Sequence, residues 1–239
     1  MNDLIKLVFA QIPKYLFNFF NLVSGPKRFV RKRNVYNDRS LTEAMTFLAI
    51  SFVLTLILKA PLIPADVNFW QYIATIGLLA LIEMALLATA LRFAWKLVGG
   101  RAPFGRFLIT FCYYYAVGLI GLQAFTVLAY GFAKVWDPGL YALLIEAYKD
   151  KGFSNPKVEA YVAKAAASGD IRKLLPLAAV SLMIWLGVAA LLAWTIAGWG
   201  AYRELTTLAK KRSVFAGIIF ICLYPIVFLL NYLLYSVLT

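Results

Sequence analysis

Five long apolar stretches constrain the fold of this 239-residue chain more than any other feature of its sequence. They lie at about 41–62, 70–98, 107–136, 174–199 and 214–238. A helix that crosses the hydrocarbon core of a bilayer needs about 20 predominantly apolar residues, and each stretch reaches that length. Because lipid offers no hydrogen-bond partners to the backbone, we predict an all-α integral membrane protein with a bundle of five transmembrane helices.

The composition also indicates that lipid surrounds much of the chain. Apolar residues make up 63% of it and charged residues 15%, whereas a soluble domain carries about 45–50% and about 25%. The chain has no His, which excludes His-based zinc sites and the common Ser-His and Cys-His nucleophile pairs. Sequence signatures of serine hydrolases, zinc proteases and P-loop proteins are also missing. We therefore predict a protein that is not an enzyme and has no metal site and no cofactor.

The distribution of basic residues predicts the orientation. Sixteen of the 24 Lys and Arg residues precede the first stretch, or lie between or at the facing ends of the second and third stretches and of the fourth and fifth. The other eight lie on the opposite side. Loops that carry more Lys and Arg stay in the cytoplasm. The N-terminus is therefore predicted to be cytoplasmic and the C-terminus extracytoplasmic.

Two regions are predicted: an N-terminal segment, 1–40, and a five-helix membrane domain, 41–239. Polar residues recur near the helical period before residue 22, which predicts an amphipathic helix that lies in the membrane interface and is broken at Pro13. An ordinary helix packed under the bundle is the alternative.

A basic cytoplasmic segment follows this helix. Its cations predict contact with anionic phospholipids or with an acidic partner, unless they serve only to fix the topology. Nucleic acid is a poor partner for so short a patch held against a membrane. The cations are Lys27, Arg28, Arg31, Lys32 and Arg33.

Glu83 lies at the predicted middle of the second stretch. A charge at that depth costs about 2.5–3.5 kcal/mol on insertion scales, so it should face protein or water. Gln123 lies at comparable depth in the third stretch. Further possible donors, nearer the cytoplasmic half, are Tyr113, Tyr114, Tyr115 and Tyr224. We predict an intramembrane polar site of Glu83 and Gln123. Its role is either proton or ion coupling, or an interhelix hydrogen bond that fixes packing.

Three further patterns have both a structural and a functional interpretation. The segment 137–173 predicts two short extracytoplasmic helices between spans 3 and 4, on the bundle mouth or on a partner. The basic run GGRAPFGR at 99–106 has glycines able to cradle a phosphate, but it is more simply a turn. The fourth stretch carries small residues at i+4 spacing, which predicts a packing seam within the chain or to a second chain. They are Ala189, Ala193, Ala197 and Ala201.

Three segments resemble the Yip (Ypt-interacting protein) family of five-span membrane proteins, in its bacterial form. They are FNFFNLVSGPKRFVRKRN, GGRAPFGRFLITFCYYYAVGLIG and WGAYRELTTLAKKRSVFAGIIF. The last is similar to the family's pattern in which a span ends in an Arg-Glu pair, here Arg203 and Glu204, before a basic start to the final span. The resemblance implies five spans, a cytoplasmic N-terminus, an inner (plasma) membrane location and a non-enzymatic role.

Two functions remain open at this stage. One is an adaptor, or an accessory or assembly subunit, of a membrane complex, with other membrane subunits and anionic phospholipids as partners. The alternative is a small permease or a lipid-handling protein that uses the polar site around Glu83.

Overall fold

The structure, a computed structural model, describes residues 2–32, 38–60, 68–150, 156–169 and 171–238, and nearly all of these are helical. The helices in this part of the chain are α1 (Asn2–Ser24), α2 (Pro26–Lys32), α3 (Asp38–Lys59), α4 (Phe69–Leu97), α5 (Phe104–Trp136), α6 (Pro138–Asp150), α7 (Pro156–Ser168), α8 (Ile171–Thr206) and α9 (Lys210–Leu238). Five of them, α3, α4, α5, α8 and α9, are long and apolar enough to cross a membrane. The predicted all-α fold with five spanning helices is confirmed.

Local chemistry sets the two ends of α4. At the start, the side-chain oxygen of Asn68 accepts hydrogen bonds from the N–H groups of Trp70 and Gln71 at 3.1 and 3.3 Å, as an N-cap does. At the end, the Gly99 and Gly100 N–H groups donate back to the carbonyls of Lys96 and Trp95. Gly99 has a φ of +93°, a conformation that glycine adopts without strain. The pair of bonds is a Schellman motif, which stops the helix.

The prediction that the N-terminal helix breaks at Pro13 is wrong, because α1 runs through that residue without interruption. Proline removes one backbone hydrogen bond, but the turns that follow it dock firmly on α3. The Tyr15 hydroxyl lies 2.9 Å from the Ser51 hydroxyl, and the Tyr15 ring stacks on Phe47 at 4.6 Å. The Lys14 ammonium lies 2.8 Å from the Glu43 carboxylate. These contacts fix the turns that follow Pro13 against α3.

The chain divides into two compact units, and the division passes through α3, α5 and α8. The first unit comprises Met1–Val53, Asn68–Gly118 and Trp194–Thr239. Within it, α4 packs along α9, and an aromatic cluster joins α4, α5 and α8. Trp95 stacks on Trp199 at 4.9 Å, and Phe107 packs on Tyr202 at 4.7 Å. This cluster forms the centre of the unit's core.

The second unit comprises Leu54–Val67 and Leu119–Ala193. Here α6 and α7 pack on α5 and α8, which confirms two short helices between spans 3 and 4. Asp137 starts α6 by accepting the Leu140 N–H at 2.9 Å, and it also accepts the Tyr161 hydroxyl. Partial burial and the Asp137 carboxylate raise the pKa of Tyr161 to about 12, so this hydroxyl stays a donor at neutral pH. The buried core of the unit is formed by Ala129, Ala133, Leu140 and Val180.

Candidate functional site

A tight elbow between α1 and α2 positions most of the basic residues that the sequence singled out. The Gly25 N–H donates to the Asn21 carbonyl at 3.1 Å, and the Phe29 N–H donates to the Gly25 carbonyl at 2.9 Å. Pro26 begins α2, where its fixed φ suits the first helical position. The ring of Phe29 is buried edge-on against Tyr113 at 4.9 Å. Because α2 docks through this apolar face, its cations are left exposed.

The elbow encloses an open cavity of about 780 Å³, the elbow cavity. Cationic, polar neutral and apolar side chains share its wall, and none of the lining residues is acidic. The wall comprises Lys27, Arg28 and Lys32, the polar Asn18, Asn21 and Ser24, the apolar Phe17, Phe29 and Ala197, and the link residues Gly25 and Pro26. The elbow cavity therefore combines positive charge, hydrogen-bonding groups and apolar surface in one concave place.

Lys27 lies directly over α8. A Cβ atom at Gly200 would lie 2.6 Å from the Lys27 Cε atom, so glycine at this position leaves the room that the lysine stem occupies. The end of the lysine side chain therefore lies against α8, and the residue also lines the elbow cavity.

The remaining two predicted cations differ from these three. The Arg31 guanidinium lies 3.2 Å from the Glu204 carboxylate at the end of α8 and does not line the elbow cavity. An exposed ion pair of this kind contributes about 0–1 kcal/mol, so it serves mainly to orient α2. Arg33 lies outside the described residues.

The two residues of the predicted intramembrane polar site belong to different units: Glu83 to the first and Gln123 to the second. Glu83 is half-buried on α4 and interacts electrostatically with Tyr115, which also interacts with Tyr224. Gln123 lies in the second unit, where it is 5% exposed and its amide nitrogen has no hydrogen-bond partner within the described part of the chain. The pairing of Glu83 with Gln123 stays a prediction. In the first unit Glu83 is instead associated with Tyr115.

A further polar cavity, the loop cavity, lies where α4 turns into α5. Its volume is about 380 Å³. Arg92, Lys96 and Arg101 line it together with Trp95, Gly99, Gly100, Ala102, Phe107 and Thr206. The run GGRAPFGR pointed to this loop, but Trp95 and Thr206 carry no sequence signal that would have placed them in the same wall. They join it only because α4 and α8 fold together.

Neither cavity contains the side chains of a typical metal centre. Among residues 2–32, 38–60, 68–150, 156–169 and 171–238, no three His, Cys, Asp or Glu side chains gather closely enough to hold a metal ion. Comparison of the chain with known protein families, with curated proteins and with solved structures finds no match.

Proposed function

We propose that the chain is a non-enzymatic integral membrane protein of the inner (plasma) membrane, an adaptor or accessory subunit of a membrane complex that binds anionic phospholipids. The observation that carries the proposal is the elbow cavity. Lys27, Arg28 and Lys32 face it beside amide and hydroxyl groups of α1. Phosphate oxygens accept hydrogen bonds from all of these groups, and cations strengthen such bonds.

The outer face of α1 suits the lipid chains that follow a headgroup. Phe17 is 69% exposed and also lines the elbow cavity, and Phe20 is 66% exposed. A helix with exposed aromatic residues next to cations lies well at the boundary between headgroups and acyl chains. In this arrangement the headgroup meets the cations of α2, and the acyl chains meet the apolar face of α1.

The proposed orientation agrees with this chemistry. The positive-inside rule and the resemblance to the Yip family both favour a cytoplasmic N-terminus. The cytoplasmic leaflet is the one that carries a negative surface potential, which is worth about 1 kcal/mol for each basic residue near it. The elbow would then face the leaflet that its charge favours.

The small-residue seam of α8 supports a role as a subunit. Ala189 and Ala193 are exposed, whereas Ala201 in the same series is buried. Small residues in lipid allow the backbones of two helices to approach closely. We propose that the exposed part of the seam accepts a helix of another membrane subunit.

The test of lipid binding compares two variants that lose the same charge. Lys27→Gln/Lys32→Gln removes two cations of the elbow cavity, and Lys210→Gln/Lys211→Gln removes two exposed lysines that line neither cavity. We expect the first variant to bind a fluorescent phosphatidylglycerol analogue in neutral detergent about tenfold or more weakly than the unmodified chain. The second should bind almost normally. Equal losses of affinity in the two variants would mean that lipid binding depends on the overall charge of the chain and not on the elbow cavity.

A second candidate function, a small proton- or ion-coupled permease, is favoured by the interaction of Glu83 with Tyr115. Ionisable groups at membrane depth often mark transport pathways. If this function holds, flux by the pure chain in liposomes should fall to background in Glu83→Gln, because glutamine keeps the size and loses the proton. Flux that is unchanged in this variant would exclude a proton or ion relay at Glu83, and the absence of flux by the unmodified chain would contradict the permease. A stoichiometric partner retained in mild detergent, without such flux, favours the accessory subunit.

A further inference from the structure

The loop cavity is independent of the elbow, and its lining points to a specific anion. We propose that it binds a phosphate monoester, contributed either by a lipid headgroup or by a soluble metabolite. The proposal adds a ligand site to the function proposed above and does not depend on it.

Four cations surround the loop cavity. Arg92, Lys96 and Arg101 line it, and none of its lining residues is acidic. The Arg212 guanidinium reaches the same loop, with its Nη1 atom 3.6 Å from the place of a Cβ at Gly99. Like charges gathered around one space repel each other, and a bound anion relieves that repulsion.

Trp95 supplies an independent observation. It lines the loop cavity, it is 1% exposed, and its indole N–H has no acceptor among the residues that the structure describes. A buried donor without an acceptor destabilises the fold, because it has lost its hydrogen bonds to water and forms none with the protein. In the proposed complex the wall beside Trp95 opens enough for a ligand oxygen to reach this N–H, which solvent does not contact in the structure.

The backbone shapes this cavity but does not supply its donors. The N–H groups of Gly99 and Gly100 are already used in the Schellman motif that ends α4. The site therefore differs from glycine-rich phosphate loops, in which backbone N–H groups bind the ligand. The ligand would therefore be bound by side chains. One of these is Arg92, whose guanidinium lies over the Phe104 ring, 4.6 Å from its centre, in a cation–π contact that helps to fix its position.

Charge and size select the ligand class. A phosphate monoester carries close to two negative charges at neutral pH and three terminal oxygens, which matches several guanidinium and ammonium groups better than a singly charged phosphodiester. Arginine in particular binds phosphate through paired hydrogen bonds. The volume of about 380 Å³ falls at the lower end of the range of about 300–1,000 Å³ for small-molecule sites.

The test uses the full chain in neutral detergent and two kinds of probe. Glycerol 3-phosphate, titrated by calorimetry, represents a soluble monoester. Fluorescent phosphatidic acid, compared with fluorescent phosphatidylglycerol, represents a lipid monoester against a lipid diester. All lipid titrations are made in the Lys27→Gln/Lys32→Gln background, which lacks two cations of the elbow cavity. Lys96→Gln/Arg101→Gln changes two exposed cations of the cavity wall, and Lys210→Gln/Lys211→Gln is the control of equal charge.

We expect saturable binding of at least one monoester probe, weakened about tenfold or more in Lys96→Gln/Arg101→Gln and unchanged in the control. Trp95→Phe keeps a ring in the aromatic cluster and removes the N–H, so binding should weaken about fivefold. Glycerol 3-phosphate binding would identify a soluble ligand, and binding of phosphatidic acid alone would identify a lipid.

Three results would overturn the proposal. The first is the absence of saturable binding of both monoester probes. The second is an equal loss in the two double variants, and the third is phosphatidylglycerol binding as tight as that of phosphatidic acid. Glycerol 3-phosphate binding should be the same in the unmodified chain and in Lys27→Gln/Lys32→Gln, so failure of the loop site and failure of lipid binding at the elbow are distinguishable.

Discussion

Replacing Trp95 by alanine is expected to lower the free energy of unfolding by about 3–5 kcal/mol, the usual cost of truncating a fully buried aromatic residue. Its ring is 1% exposed and stacks on Trp199 at 4.9 Å. The truncation leaves a cavity that neighbouring helices cannot fill, because Trp199 is itself tied to α9 through a 2.9 Å hydrogen bond from its indole N–H to the Ser213 carbonyl. The loss would be measured by unfolding the purified chain with increasing SDS in a fixed neutral detergent.

Trp70→Ala is the matched control, because it makes the same substitution at the other end of the same helix. Trp70 is 77% exposed, so few packed contacts are lost and the change in unfolding free energy should stay within about 1 kcal/mol. Comparable losses in the two variants would mean that the aromatic cluster does not hold the first unit together.

The spans were predictable because their signal is an average over many residues. The predicted stretch 70–98 became α4 (Phe69–Leu97), and the stretch 107–136 became α5 (Phe104–Trp136). Hydrophobicity summed over about 20 positions tolerates single exceptions such as Glu83. The ends were predictable only to a few residues, since they depend on local devices such as the Asn68 cap.

The elbow was predictable only in part. The cations were visible in the sequence as a cluster, and a basic segment was predicted to follow the N-terminal helix. The face through which α2 docks depends on Tyr113, and the neutralisation of Arg31 depends on Glu204, a residue 173 positions away. Such contacts leave no local pattern, because side chains meet across helices only after the chain has folded. The same reason explains why Pro13 misled the prediction for α1.

The loop cavity could not be predicted from the sequence, for a different reason. Glycines and cations between two spans are consistent with a simple turn, and no local pattern distinguishes that turn from a binding site. The residue that distinguishes a binding site from a simple turn is Trp95, which lies in α4. In the sequence it is one more apolar residue of a span. Its buried N–H becomes significant only because the folded chain places Trp95 in the same cavity wall as the cations of the loop.

Gly100→Ala should destabilise the chain by about 1–3 kcal/mol, a typical cost of forcing a methyl group into filled space. A Cβ atom at this position would lie 2.7 Å from the Trp95 carbonyl oxygen and 3.3 Å from a methyl group of Thr206. The carbonyl cannot move away easily, because it accepts the Gly100 N–H at 2.9 Å in the Schellman motif. Relieving the clash therefore requires breaking the bond that ends α4.

Gly131→Ala gives the control for this second prediction and should have the opposite sign. Gly131 lies in the interior of α5, and apart from its chain neighbours and the backbone of its own helix, a Cβ atom there would meet no atom of the described residues within 4 Å. Alanine in such a position stabilises a helix by about 0.5–1 kcal/mol relative to glycine, because the unfolded chain loses freedom. SDS unfolding of both variants in the same detergent gives the comparison. If Gly100→Ala were also neutral or stabilising, the turn would have space for a methyl group, contrary to the distances in the structure. The shape of the loop cavity would then not depend on glycine at this position.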